Sequence, residues 1–369
     1  MAPSSPTHRY TVGSRFARTG LTCTPSVAER IDRLARPYLT LERSPSPPGA
    51  WQVIAESGPP PEGAVPESVT ALGELPLEYA VDHTRRTLHH VAPEGEAWVV
   101  QSLLRATRAV HRSAASRQGV LFLHAGLVEL NGIGVALVGG SRAGKTSFIM
   151  AAVLDGSGVM VGNDDVSLTT EHPAPDRGPE QGGAGTAVVG DGWPRSVSVR
   201  LDTLDLLFGP DRAADILAAL THPANETLPG LRESGVEKHG TALIYPWEYA
   251  DLLHTKIGRS AGVDALVHLS LADHPSEAGL SLVLPPERTG PLDKHVLALP
   301  NKHLNIFGHE PRPGSLLRTR EALAALPTFR FRYEFRDVRR QVGRLADGLA
   351  ERLGDVTGRA APAGPEPRP

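Results

Sequence analysis

Eight consecutive residues, Gly139-Gly140-Ser141-Arg142-Ala143-Gly144-Lys145-Thr146, constrain the architecture of this 369-residue chain more than any other stretch. They complete a GxxxxGKT pattern, and what flanks them matters as much. Residues 133 to 138 are apolar and rich in β-branched side chains, while residues 147 to 154 read as a helix ended by Asp155-Gly156. A strand delivered into such a loop and followed by a helix is a unit of an α/β fold. Gly139 and Gly144 permit backbone angles closed to residues with a Cβ, so successive N–H groups turn inward on phosphate oxygens. A helix starting near Lys145 adds the positive end of its dipole at the same place. The implied ligand is ATP with Mg²⁺, bound along residues 139 to 147. Lys145 then neutralises the outer phosphates, the Thr146 hydroxyl ligates the metal, and Ser147 opens the helix.

Composition narrows the classes. The length implies about two domains. The net charge of −3 leaves no electrostatic reason to expect nucleic acid or an anionic membrane as partner. Only five of the 38 basic residues are lysine, and with 33 Pro and 38 Gly this bias has the look of a GC-rich genome, so arginine counts carry little functional weight. The single Cys23 excludes an internal disulfide and a multi-cysteine metal site. The N-terminal decapeptide lacks the apolar core of a signal peptide, and no run approaches the length of a membrane span, so a cytoplasmic protein is expected. In such a compartment the sequon at Asn225-Glu226-Thr227 has no meaning.

Punctuation along the chain predicts its organisation. Residues 44 to 68 are crowded with Pro, Gly and Ser and read as a linker or long loop inside an N-terminal region, 1 to 95. Residues 26 to 35 form an amphipathic helix ahead of it. From Glu96 to Arg117 a longer helix presents Val99, Leu103, Ala106 and Val110 on one face, and with it begins the second domain, reaching to about 355. Residues 120 to 130 form an apolar strand, and Asn131-Gly132 joins it to the strand that feeds the loop, the strongest short hairpin signal a sequence offers. The loop strand is therefore paired antiparallel, unlike the parallel setting of ordinary nucleotide-binding loops. Further on, residues 171 to 192 make a Gly/Pro-rich excursion and 222 to 240 another loop ending in Lys238-His239-Gly240. Residues 211 to 220 read as a helix, 245 to 257 as a short aromatic helix opened by Pro246, and 265 to 269 as a strand. Alternating Phe329, Phe331, Tyr333 and Phe335 mark a half-buried strand, and Val338, Val342, Leu345, Leu349 and Leu353 one face of a last helix. The tail, 356 to 369, is Pro- and Ala-rich and expected to be disordered.

Beyond the loop helix, residues 158 to 168 read as one strand with Asp164 and Asp165 at or near its end. Neighbours on a strand point to opposite faces, so one carboxylate alone faces the phosphates unless the strand stops there. The division that follows gives one aspartate to Mg²⁺ and the other to the proton of an attacking hydroxyl; a solvated Asn-Asp-Asp turn is the structural alternative.

The order of His124 at a strand end, hairpin, GxxxxGKT, helix and Val161-Gly162-Asn163-Asp164-Asp165 resembles the HPr serine kinase/phosphorylase family and its shorter HPr-kinase-related relatives. In that family a Ser-Ile-His-Gly strand precedes the loop and a hydrophobic-Ala-Asp-Asp strand follows it; here the matching stretches are Phe122-Leu123-His124-Ala125-Gly126 and residues 161 to 165. The resemblance covers residues 120 to 168. It implies an α/β fold with a mixed central sheet around the P-loop, like the HPr kinase C-terminal domain and shared with phosphoenolpyruvate carboxykinase, beside a smaller N-terminal region. It also implies Asp164 as general base, Asp165 as the neighbouring metal-site carboxylate, His124 as the active-site histidine near the phosphates, and a homo-oligomer.

One departure from the family pattern limits the reading. The Glu-x-Arg-Gly-x-Gly signature of the bifunctional enzymes is reduced to residues 197 to 202, without its glutamate and glycines, which sets aside phosphorolysis and HPr as substrate. Arg195 and Arg200 remain open between phosphate contacts and surface arginines, and Lys256 is a further phosphate candidate. The expected activity is transfer of the γ-phosphate to the hydroxyl of a protein, a ribosomal peptide precursor or a small molecule. A nucleotide-gated regulatory module that transfers nothing is the rival reading.

Overall fold

The computed structural model describes residues 7–55, 61–69, 76–91, 95–171, 187–227, 240–283, 292–301, 304, 307 and 313–357. Of the tail expected at 356–369, residues 356 and 357 belong to the last helix and 358–369 lie outside the described residues, as do the excursion at 172–186 and the Lys238-His239 end of the later loop.

The hairpin forms as its turn residues dictate. Asn131 (φ 48°) and Gly132 (φ 84°) both take positive φ, the requirement of a two-residue turn of the primed type. They join β9 (Gly126–Leu130) to β10 (Ile133–Val138), with Ile133 opposite Leu130 and Leu137 opposite Gly126. On its other edge β10 runs parallel to β17 (Ala265–Leu271), Val135 beside Ala265. With β11 (Gly158–Gly162), β18 (Gly279–Leu282) and β19 (Thr328–Tyr333) they make a six-stranded mixed sheet in the order β11-β9-β10-β17-β19-β18.

Alternation along β10 sorts its side chains into two cores. Val135 and Leu137 pack with Phe148 of α3 (Lys145–Leu154) and with Leu345 and Leu349 of the last helix, which is α8 (Val338–Thr357). Ala136 and Val138 pack on the opposite face with Leu168, Val188 and Ala261. Those residues belong to a four-stranded sheet of β16 (Ser260–Gly262), β13 (Ala187–Asp191), β12 (Val166–Glu171) and β8 (Leu121–Leu123), in that order. Leu323 of α7 (Pro313–Ala325) joins the same core. The expected helices are present, α1 at Pro25–Ala35, α2 at Glu96–Arg117, α5 at Pro210–Ala219 and α6 at Pro246–Leu252.

Several expectations are corrected. Residues 120–130 and 158–168, each expected as one strand, are each broken in two, with the first halves and second halves in different sheets. Phe335 falls in a 3-10 turn after β19 rather than continuing the aromatic alternation. The stretch 44–68 is not all linker. It supplies β4 (Gln52–Ile54) and β5 (Val65–Val69) to a seven-stranded sheet, in the order β3-β1-β2-β4-β7-β6-β5. Its other members are β1 (His8–Gly13), β2 (Arg18–Cys23), β3 (Thr40–Glu42), β6 (Leu77–Asp82) and β7 (Thr87–Val91). Three residues are enough for a strand when both neighbours are supplied by tertiary pairing, as β2 and β7 are for β4.

Nor does α2 simply open the second domain. Its Val100, Leu103, Ala106 and Val110 are buried in one core with Tyr10, Leu21, Ile31 and Leu88, so by packing it belongs to the N-terminal layer. Among the described residues no helix is long and apolar enough to cross a membrane.

Phe148 anchors the loop helix to the sheet. It is fully buried, edge-on to Tyr333 (5.5 Å between ring centroids) and Phe331 (6.0 Å). Phe148→Ala is expected to cost about 3–5 kcal/mol of stability in urea unfolding; a loss under about 1 kcal/mol would contradict this packing.

Candidate functional site

Two chain crossings meet at one corner of the molecule. The first, at His124-Ala125, carries the chain from β8 to β9; the second, at Asn163 to Asp165, carries it from β11 to β12. Since β9 pairs with β11 and β8 with β12, both chains leave one sheet for the other side by side. Glycine makes the corners possible. A Cβ on Gly126 would come within 2.3 Å of Ile149 Cδ1, and one on Gly162 within 2.8 Å of Val166 Cγ1.

Because β11 stops at Gly162, strand alternation no longer separates the two aspartates. His124 Nδ1 lies 3.2 Å from Asp164 Oδ1 and 3.4 Å from Asp165 Oδ1. The Arg195 guanidinium straddles the pair, with Nη2 at 2.8 Å from Asp164 Oδ2 and Nη1 at 2.5 Å from Asp165 Oδ2. Behind them Arg112 of α2 places Nη2 at 3.5 Å from Asp165 Oδ2, while its Nε donates to Pro300 O at 2.6 Å and its Cζ lies 4.7 Å from the Phe122 ring centroid.

The two carboxylates are thus in different circumstances. Asp165 keeps 10 % of its side chain exposed against 31 % for Asp164. Burial raises the Asp165 carboxyl, but the His124 hydrogen bond and the charges of Arg112 and Arg195 outweigh it and hold the group well below the usual carboxylate range. Burial lowers Arg112 to about 10, with Asp165 opposing, which leaves it charged at neutral pH.

On the other side of Asp164 lies a cavity of about 750 Å³. Its wall contains Ser141 to Ser147, His124, Asn163 and Asp164, and opposite them Ser198, Arg200, Thr203 and Thr241. Ser198, Arg200 and Thr241 come from a two-stranded ribbon of β14 (Val197–Arg200) and β15 (Thr241–Ile244), and Thr203 from α4 (Leu201–Phe208). The loop is held open from behind. Tyr333 Oη donates to Gly144 O at 3.0 Å, and a Cβ on Gly144 (φ +84°) would meet that hydroxyl at 1.9 Å. At its other end a Cβ on Gly139 would meet Leu269 O at 2.7 Å. Among the described residues no side chain caps the first turn of α3, which leaves its N–H groups available. Lys145 Nζ donates to Gly139 O at 2.9 Å and Gly140 O at 3.5 Å. Ser147, expected along the ligand, is buried at the cavity edge and shares a 2.9 Å hydrogen bond with Thr203.

The expected residues His124, Lys145, Thr146 and Asp164 are therefore brought to one cavity, as are Ser141, Arg142, Ala143 and Gly144. Gly139 and Gly140 support the loop from outside its wall. Asp165 lies behind the wall, and Arg195 with it; Arg200 is in the wall, paired bidentately with Asp202. Lys256 is exposed and not in the wall. Sequence reasoning missed Arg112, since in an arginine-rich helix nothing distinguishes it. It also missed the hydroxyl wall of Ser198, Thr203 and Thr241, which comes from segments distant in sequence.

A divalent cation fits the cavity side of this cluster. The ligand atoms of His124, Asp164 and Asp165 lie within 4.8 Å of one another, but both Asp165 oxygens are already engaged by His124, Arg112 and Arg195. The hard oxygen donors beside the loop are Thr146, Asn163 and Asp164. Asn163 Nδ2 donates to Thr146 Oγ1 at 3.1 Å, whereas its Oδ1 is buried without a hydrogen-bond partner among the described residues. Such an acceptor costs about 1–3 kcal/mol until something satisfies it.

No family model matches the chain, and no curated protein does. Among solved structures it is similar to the HPr(Ser) kinase/phosphatase from Coxiella burnetii, at 8% identity and a TM-score of 0.28, over 64% of this chain and 92% of that one. This is a distant likeness of fold.

The depressed Asp165 carboxyl has a pH signature. Its contribution to stability is complete above the unfolded carboxylate value of about 3.9 and is lost only as pH falls through the lower folded value. Arg112→Met removes one cation and raises that folded value. Stability at neutral pH should fall by up to about 3 kcal/mol, and acid unfolding should begin at a higher pH than in the wild type. Thermal unfolding between pH 3 and 7 checks this; superimposable pH profiles for the two proteins would refute it.

Proposed function

We propose that the chain is an ATP- and Mg²⁺-dependent kinase that transfers the γ-phosphate to a hydroxyl, with Ser or Thr of a protein or ribosomal peptide precursor as acceptor. One observation carries this reading: a single cavity wall holds the glycine-rich loop, the uncapped start of α3, Lys145, Thr146 and the Asp164 carboxylate. Its volume is in the range of nucleotide pockets. Three cations, Arg142, Lys145 and Arg200, line it against Asp164 and the Asp202 partner of Arg200, a net positive charge that suits a polyanion.

Each residue has a part in that reaction. The N–H groups of the loop and of the first turn of α3 bind phosphate oxygens, and Lys145 bridges to the outer ones. Burial lowers the Lys145 amine, and the nearby Asp164 charge opposes that shift. Thr146 would hold Mg²⁺, with the aspartate pair as counter-charge; when bound, the ion neutralises charge on the phosphate oxygens. Asp164, open to the cavity, orients the acceptor hydroxyl and takes its proton. His124 fixes the Asp164 carboxylate from one side and Arg195 from the other, while Asp165 holds both of those groups in place. Little else is required, because phosphoryl transfer is driven by positioning and charge neutralisation.

Intact-mass spectrometry of candidate peptides and metabolites after incubation with Mg²⁺-ATP tests the proposal. A gain of one phosphate that disappears with Lys145→Ala is expected. Asp164→Asn should lower transfer at least about a hundredfold while leaving ATP affinity nearly unchanged. ATP binding with transfer to no acceptor, together with nucleotide-dependent affinity for a partner, would replace the kinase by a nucleotide-gated regulatory module.

A further inference from the structure

Asn163 stands where the second chain crossing meets the loop helix. Its carbonyl oxygen is 3.3 Å from where a Gly126 Cβ would be, so the backbone of the crossing is packed directly on the start of β9. Its side chain reaches the other way, into the wall of the cavity, and donates from Nδ2 to Thr146 Oγ1 at 3.1 Å. The remaining end of the amide, Oδ1, is buried and has no hydrogen-bond partner among the described residues.

A threonine hydroxyl has one hydrogen and two lone pairs and turns freely unless something holds it. A donor on one lone pair leaves a single lone pair, in a set direction, for a cation. Oδ1, closed off from solvent, takes no part in that geometry.

We propose that Asn163 is a positioning residue of the cation site, its Nδ2–H fixing the Thr146 hydroxyl so that the remaining lone pair of Oγ1 is held ready for Mg²⁺. The inference rests on the reading of this cavity as a Mg²⁺-nucleotide site.

Calorimetric titration of the full-length protein with ATP, in EDTA and at stepped Mg²⁺ concentrations, tests it. For Asn163→Ala the Mg²⁺ concentration giving half of the metal-dependent gain in affinity should rise about tenfold. ATP affinity in EDTA should stay within about twofold of the wild type, since the loop and Lys145 are untouched. Asn163→Leu, closer in volume and equally without polar atoms, gives the same readout if the alanine variant does not fold. An unchanged Mg²⁺ requirement in the variant overturns the role of Asn163 and leaves the kinase reading standing. Wild-type protein that binds ATP with no Mg²⁺ dependence, or binds none, overturns both.

Discussion

A carboxylate with a tenth of its side chain exposed, gripped by two guanidinium groups and a histidine, is the contact on which the rest of the site depends. Asp165 is held as an anion by the His124 hydrogen bond and by the charges of Arg112 and Arg195, and each of the three comes from a different part of the chain. Arg112 is carried by α2, whose apolar face is buried against the N-terminal sheet; Arg195 lies between β13 and β14. The buried charge therefore ties three regions together, and removing one partner leaves the others uncompensated. The N-terminal layer is in this sense part of the site and not an appendage to it. A second thread runs the same way, since Tyr38 Oη donates to Val161 O at 2.9 Å, just ahead of the aspartates.

The cavity owes its shape to the mixed pairing of β10. Antiparallel to β9 on one side and parallel to β17 on the other, that strand brings the His124 corner and the glycine-rich loop to the same end of the sheet. The break of β11 at Gly162 then turns both carboxylates toward His124, which an unbroken strand would prevent. Asymmetry between the aspartates follows from burial. One is closed in by arginines and organises its neighbours, and the other faces the cavity. Two adjacent residues of the same chemistry thus come to do different work through environment alone.

Much of this arrangement could be read from residues before any coordinate. Asn131-Gly132 announced the hairpin because both turn positions need positive φ, and the turn has those angles. The span of α2 was legible from its apolar spacing and its bounds agree to the residue. Residues 141 to 146 of the loop, with Lys145 and Thr146, were named from pattern, and Asp164 and His124 with the help of the resemblance, and these fall on one wall. What failed did so for two reasons. The runs 120–130 and 158–168 look like continuous strands because apolar periodicity survives a crossing between two sheets that are both buried. The stretch 44–68 looked like linker because proline and glycine dominate its composition, although strands of three to five residues need only a few compatible positions between them.

By itself the sequence determined the local units: a strand, a glycine-rich loop, a helix with a free N-terminus, and a hairpin ahead of them. These follow from backbone angles and side-chain size, which neighbours along the chain are enough to set. Only the tertiary structure decided which aspartate meets the cavity, that Arg112 and Arg195 hold the other, and that Ser198, Thr203 and Thr241 close the opposite wall. Charge compensation and cavity shape depend on distances between segments up to about a hundred residues apart, and no periodicity in the sequence encodes those distances.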